Sequence, residues 1–425
     1  MFRKFTMNIK KTISEFPRKF WIIVGVMFID RIGGTMLFPF FSLYITGKFG
    51  VGMTEAGMIL GMFSIFGMIG AMFGGALTDR FGRRKLILFG LVFSALSTLS
   101  LGLVNQFALL YPLAMVIGLL GEIAGPAHQA MIADVLPEDK RNEGFGIMRV
   151  IANLAWIIGP TIGGLVAGES YFMLFIIDAV ISCIVAVLFY FLISETKPEH
   201  AAGASAHSEG ILKTFIGYGK VLKDLAFLAF TFAMMLMGMI YQQMYNSLSV
   251  YLRDTHGIDP RGYGFLLTSS AIVVIFFQFW TTRVIKKRPP FVMMAFGTIF
   301  YMIGFSMFGF VSAYWLFVLA VVIITVGEMI NMPTSQALAA NFAPEDMRGR
   351  YMAVYGLSYG IPAIVGPVLA GLVLDHLNPN YLWYGGGLLC LLSSSSFLLL
   401  QARIGRQARF LPKAEPGAAA SIEPH

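Results

Sequence analysis

Residues Gly75–Lys85 read G-A-L-T-D-R-F-G-R-R-K and fall between two apolar runs, residues 57–77 and 86–103. Hydrocarbon does not absorb Arg80, Arg83, Arg84 and Lys85 together, so they mark a water-exposed loop between two membrane-crossing helices. Four cations in so short a loop also set its side, because basic loops stay cytoplasmic. Charge alone, however, does not require Gly75, Asp79 and Gly82 at these offsets.

Composition agrees with a membrane protein. Hydrophobic residues make up 57% of the 425, charged residues 13%, and the mean hydropathy is +0.74. A soluble chain carries roughly twice that share of charge. The net charge of +8 is spread as punctuation between apolar runs, so topology explains it and a nucleic-acid partner is not expected. Cys183 and Cys390 both lie inside apolar runs, which implies neither a disulfide framework nor a metal site. The chain has no G-x-x-x-x-G-K-[ST] loop, H-E-x-x-H helix or G-x-S-x-G elbow, and no soluble stretch to house a catalytic domain. The expectation is therefore a protein that is not an enzyme and needs no cofactor. The start, M-F-R-K, is followed by no A-x-A-like cleavage site, so it reads as a retained cytoplasmic end of the first helix.

Twelve apolar runs are long enough, or nearly so, to cross a core of about 30 Å. They cover residues 21–45, 57–77, 86–103, 109–133, 145–167, 172–193, 225–248, 264–280, 291–311, 314–339, 352–373 and 383–400. With the amino terminus inside, the cytoplasmic loops and tails collect almost all Lys and Arg, and the opposite side receives only Lys48, Arg253 and Arg261. The expected organisation is a cytoplasmic segment 1–20, a bundle 21–194, a linker 195–223, a bundle 224–402 and a disordered tail 403–425. Within the linker, Ile211–Leu222 mixes apolar residues with Lys213 and Lys220 and reads as an amphipathic surface helix.

The chain also repeats itself. P-A-H-Q-A…P-E-D at Pro126–Asp139 returns as P-T-S-Q-A…P-E-D at Pro333–Asp346, and Gly159-Pro160 as Gly366-Pro367. Gly121-Glu122 recurs as Gly327-Glu328 with a one-residue slip. Helices four and five thus correspond to ten and eleven, as in a transporter built from parallel repeats.

The loop pattern G-x-x-x-D-R-x-G-R-R resembles the hallmark loop between the second and third helices of the major facilitator superfamily, with Gly75, Asp79, Arg80, Gly82, Arg83 and Arg84 all matching. The resemblance extends over residues 15–405. It implies an all-α integral membrane protein, a monomer in the bilayer, with twelve transmembrane helices in two six-helix bundles related by pseudo-two-fold symmetry. It also implies that the loop is a conformational latch, with Asp134 as the partner of one of its arginines. In the fifth run, Gly146, Ala155, Gly159, Pro160, Gly163 and Gly164 resemble the antiporter motif of the superfamily's exporters, Ala155 replacing one glycine. Pro160 bends a helix and the glycines admit a close neighbour, although ordinary small-residue packing has the same signature.

Ionisable residues inside apolar runs cost several kcal/mol unless they face a cavity or a partner. Four acids qualify: Asp30, Glu122, Asp178 and Glu328. Arg31 and Arg149 are the embedded bases. The resemblance places helices one, four, seven and ten around a central cavity, making Asp30, Arg31, Glu122 and Glu328 cavity residues. Glu328 is the expected proton carrier, since no base shares its helix, with Asp30 and Glu122 as further proton-coupling acids. The bland alternative is a protonated glutamic acid bonded to Asn331 or Tyr359. Asp30 and Arg31 point about 100° apart, so Arg31 paired with Glu122 or Asp178 would leave Asp30 to titrate. Asp178 reads as the most structural of the four. Gln242, Tyr245 and Asn246, with Asn331 and Tyr359, are the expected substrate contacts, and His128 reads first as a satisfied core histidine.

The function expected on these grounds is proton-coupled export of lipophilic, cationic small molecules from a bacterial cell by alternating access. The alternatives are a proton-coupled nutrient importer on the same fold and a non-transporting receptor or lipid-handling protein.

Overall fold

A computed structural model describes residues 15–197, 218–344 and 347–410 of the chain. Among these, twelve helices are long and apolar enough to cross a membrane. They are α1 (Arg18–Phe49), α2 (Met53–Phe81), α3 (Arg83–Leu103), α4 (Phe107–Val135), α5 (Glu143–Ala167) and α6 (Tyr171–Leu192). The second six are α7 (Leu225–Asn246), α8 (Pro260–Ile285), α9 (Pro290–Phe310), α10 (Tyr314–Phe342), α11 (Arg348–His376) and α12 (Asn380–Ile404). Helices form here because hydrocarbon offers the backbone no partner, so every N–H and C=O must be satisfied within its own segment.

Three of the helices are interrupted, and the sequence gives the cause in two. In α1, Pro39 sits in a 3₁₀ turn, Phe38–Phe40. In α4, Pro126 has no N–H to offer the Glu122 carbonyl four residues back. The chain tightens to a 3₁₀ turn at Glu122–Ala124, where the Gly125 N–H takes that carbonyl instead. α7 breaks at Gln242, resumes as Gln243–Asn246 and continues as a further helix, Leu248–His256. By contrast α10 carries Pro333 without a break. The carbonyl that Pro333 leaves free, on Met329, accepts from Gln278 Nε2 of α8 at 3.3 Å.

The chain folds as two compact units. Unit 1 holds the described residues up to Lys197 together with Tyr245–Thr268 and Pro367–Gly371, and unit 2 holds the remainder. The core of unit 1 near its basic end is built from Phe20, Ile23, Ile87, Met131 and Phe189. Glycines let its helices approach closely, and the antiporter-like segment of α5 is the clearest case. A Cβ on Gly159 would meet Thr35 Oγ1 and the Met36 amide of α1, and one on Gly163 would meet the Met36 carbonyl. One on Gly164 would stand 2.8 Å from Gly264 Cα of α8. In unit 2, Phe230 stacks on Phe342 and Tyr355 at 5.5 and 6.1 Å, and Phe308 packs edge-on against Trp383 at 5.0 Å.

Residues 403–410, expected in a disordered tail, are structured. α12 runs to Ile404, and Ala408–Phe410 form a 3₁₀ turn that carries Phe410, 1% exposed, against Phe291 and Phe342. Burying that ring in the aromatic core of unit 2 orders the segment. Most of the expected surface helix Ile211–Leu222 lies outside the described residues, as do residues 1–14 and 411–425.

Candidate functional site

The loop that joins α2 to α3 is a single residue. Gly82 separates Phe81 from Arg83 at φ +91°, a conformation that favours glycine. Glu195, three residues past α6, sits beneath it. Its Oε1 accepts from the Arg83 N–H at 3.0 Å and its Oε2 from the Arg84 N–H at 3.2 Å, so it caps α3 from the segment that follows α6. The Thr196 and Lys197 N–H groups also bond to Oε1. Burial pushes the Glu195 carboxyl up, but these four N–H groups outweigh it and hold the group below its usual value.

The side chains add a second tie. Arg83 Nε donates to Asp134 Oδ2 of α4 at 2.8 Å with both groups largely buried. Asp79 is 3.7 Å from the same guanidinium but 80% exposed. Lys197 Nζ donates to the Asp79 carbonyl at 2.6 Å, and Arg84 lies over the Tyr190 ring. Arg80 lies over the Phe81 ring. A Cβ on Gly75 would meet nothing within 4 Å.

Within the spans of unit 1, the embedded charges divide. Asp178 is 4% exposed and accepts from Thr98 Oγ1 at 2.7 Å. It also packs against Gly33, which ties α6 to α3 and α1. Asp30, half-buried, has Asp178 and Arg31 as its electrostatic neighbours. Arg31 and Glu122 are exposed and form no ion pair with each other or with any other described residue. The pairing of Arg31 with Glu122 or Asp178 is therefore not made. Arg31 lies near His128, whose buried Nδ1 has no hydrogen-bond partner among the described residues, so this is not a satisfied core histidine.

In unit 2, Glu328 Oε1 accepts from Tyr241 Oη at 2.8 Å, a bond from α10 to the last residue before the break in α7. Tyr359 is its electrostatic neighbour on α11. Tyr359, Tyr355 and Ser335 are joined hydroxyl to hydroxyl, each step 2.9 Å. Asn331 does not line a cavity. It is 0% exposed, packed on Gly297 of α9 with Thr298 and Met237 around its amide. Gln242 is half-buried at the break, while Tyr245 and Asn246 belong to unit 1.

The profile of the Major Facilitator Superfamily matches residues 23–367. This chain belongs to that superfamily. It is similar to the Na(+), Li(+), K(+)/H(+) antiporter of Planococcus maritimus, 30% identical over 86% of this chain and 89% of that one. It is also similar to the quinolone resistance protein NorA of Staphylococcus aureus, 21% identical over 87% and 93% of the two chains. Among solved structures, the nucleoside transporter NupG superposes with a TM-score of 0.77 at 12% identity, over 90% of this chain and 100% of that one. A POT family transporter with 5-aminolevulinic acid superposes at 0.75 and 17% identity, over 91% and 96%. At such identities these structures establish the fold. The chain is a multi-pass membrane transporter of this superfamily.

The superfamily loop thus carries the arginine-to-Asp134 contact that its sequence suggested, and a partner that the sequence did not suggest. In the sequence Glu195 opens the linker, and nothing in its own neighbourhood marks it as a cap for a helix more than a hundred residues earlier. The same holds for Tyr241. It stands beside Gln242 in a run of polar residues, yet only the packing of α7 on α10 selects it as the donor to Glu328.

Proposed function

We propose that this chain is a proton-coupled antiporter of a bacterial inner membrane, with both termini cytoplasmic, that exports lipophilic small molecules bearing positive charge. The observation that carries the reading is Glu328, a carboxylate embedded in α10 whose bonded neighbour is a neutral tyrosine rather than a cation. Such a group can hold a proton in one state and give it up to a cationic competitor in another. Asp30 and Glu122 supply further embedded acids without an ion pair. The glycine-rich segment of α5 and the likeness to an H(+) antiporter and a quinolone resistance protein support export driven by protons, and the Lys and Arg bias of alternate loops supports cytoplasmic termini. Each charge that crosses the membrane gains about 2.3 kcal/mol per 100 mV.

A second reading, exchange of Na(+) or K(+) for protons, is favoured by the Planococcus relative specifically. One experiment separates the two. Purified protein in liposomes with an imposed pH gradient is offered a fluorescent lipophilic cation, then Na(+) or K(+), with Glu328→Gln and Asp30→Asn alongside. Movement of the organic cation against the protons, abolished by Glu328→Gln, supports drug antiport. Exchange of the inorganic cations alone supports the second reading. Proton-driven accumulation of a sugar or peptide defeats both and makes the chain an importer.

A further inference from the structure

Unit 1 carries two parallel stripes that neither reading uses. On α1 the exposed Arg31, Gly34 and Phe38 share one face, and on α5 the exposed Arg149 and Asn153 line up with half-buried Trp156. Residues seven apart on a helix project within about 20° of one another and lie about 10 Å apart along the axis. Each stripe therefore sets an arginine two turns from an aromatic ring. Contacts between α1 and α5 advance together along both chains, Thr35 with Ala155 and Gly159 and then Phe40 with Gly163, so the helices run parallel. The arginines consequently lie on the same side of the rings.

The rings meet. Phe38, 42% exposed, contacts Trp156 edge-to-face at 6.0 Å, and Trp156 contacts Tyr245 at 5.0 Å, all three within unit 1. Neither Arg31 nor Arg149 forms an ion pair among the described residues. Asp30, the neighbour in sequence, projects about 100° away on the helix and makes no ion pair with Arg31. Unpaired guanidinium groups within apolar spans do not face hydrocarbon, so the stripes face water. Aromatic rings on such a face, Phe38 exposed and Trp156 and Tyr245 half-buried, offer surfaces for stacking, and guanidinium forks match anionic oxygens.

We infer that Phe38, Trp156 and Tyr245 hold an aromatic ring of the substrate, and that Arg31 and Arg149 hold an anionic group two helical turns away. The inference rests on the transport reading but revises its substrate from a cation to an aromatic anion or zwitterion. The preferred substrate is an aromatic molecule with an anionic group, whether or not it also bears a positive one.

The test is binding to the full chain in lipid nanodiscs by calorimetry, with no proton gradient. Three probes share one ring and chain: 4-(1-naphthyl)butyrate, its amide and 4-(1-naphthyl)butylamine. The butyrate is expected to bind about 10-fold tighter than the other two. Arg149→Gln should abolish that preference while leaving amide binding in place, and Arg149→Lys should restore part of it. Trp156→Leu should weaken all three about 5-fold or more. Amine binding as tight as the butyrate's, a preference that survives Arg149→Gln, or binding of none of the probes overturns the inference. Carboxylate preference without proton-driven flux would retain this subsite and discard antiport. Flux without the preference would do the reverse.

Discussion

Replacing Gly159 by alanine adds one methyl group where α1 and α5 pack backbone to backbone. The new Cβ would lie 2.9 Å from the Met36 amide nitrogen and also against Thr35 Oγ1, where ordinary contact begins at 3.4 Å. Backbone cannot rotate away as a side chain can, so α1 must shift by about half an ångström, and overpacking of this kind costs about 1–3 kcal/mol. Gly146 belongs to the same sequence motif, but a Cβ there meets nothing within 4 Å. Alanine at that position should stabilise the helix by about 0.5–1 kcal/mol, because it removes glycine's backbone freedom in the unfolded chain. The two variants should therefore differ by roughly 1.5–4 kcal/mol. Reversible unfolding in mixed micelles, followed by circular dichroism, measures the gap directly. Thr35→Ala added to Gly159→Ala should recover part of the loss, since it removes the hydroxyl but not the Met36 amide. Equal stability of Gly159→Ala and Gly146→Ala would show that the motif's spacing does not report helix packing.

Two further predictions concern the α2–α3 turn. Glu195 is held below its usual carboxylate value, so its contribution to stability is full above the unfolded value of 4.5 and is lost as the pH falls through the lower folded value. Since Glu195 is exposed, solvent reduces the effect. Glu195→Gln should cost on the order of 1 kcal/mol at neutral pH, and its deficit should shrink toward zero in acid denaturation series. A deficit that persists unchanged to acid pH would count against the capping role. Separately, Asp134→Asn should destabilise by about 1–3 kcal/mol because it strips a buried guanidinium of its partner. Asp79→Asn, at an exposed pair, should cost under about 1 kcal/mol. The reverse order in thermal denaturation of the two variants would contradict the geometry.

The family, the helix count and the repeat were legible because partitioning into a bilayer is decided segment by segment. An apolar run of sufficient length is a span whatever its neighbours, and the basic residues between runs are read by the membrane itself. The acid-bearing repeat shows where that reading stops. Glu122 and Glu328 occupy nearly equivalent places, but the one-residue slip between them is a rotation of about 100° on a helix. Relative to the prolines that follow, Pro126 and Pro333, one acid lies at the 3₁₀ turn and is exposed, while the other is turned to Tyr241. Trp156 shows the same limit. Its spacing from Arg149 is visible in the chain, but only the ring contacts with Phe38 and Tyr245 give that spacing a meaning.

The sequence alone therefore determined which segments cross the membrane, which loops share a side and which two stretches are copies of one another. These follow from transfer free energies that belong to each segment. Only the tertiary structure decided what each charge meets: Asp178 with Thr98, Glu328 with Tyr241, Arg31 in no ion pair among the described residues, and Glu195 capping a helix far from it in the chain. Those assignments depend on rotation and register between helices, which differences of a single residue reverse and which apolar composition does not encode.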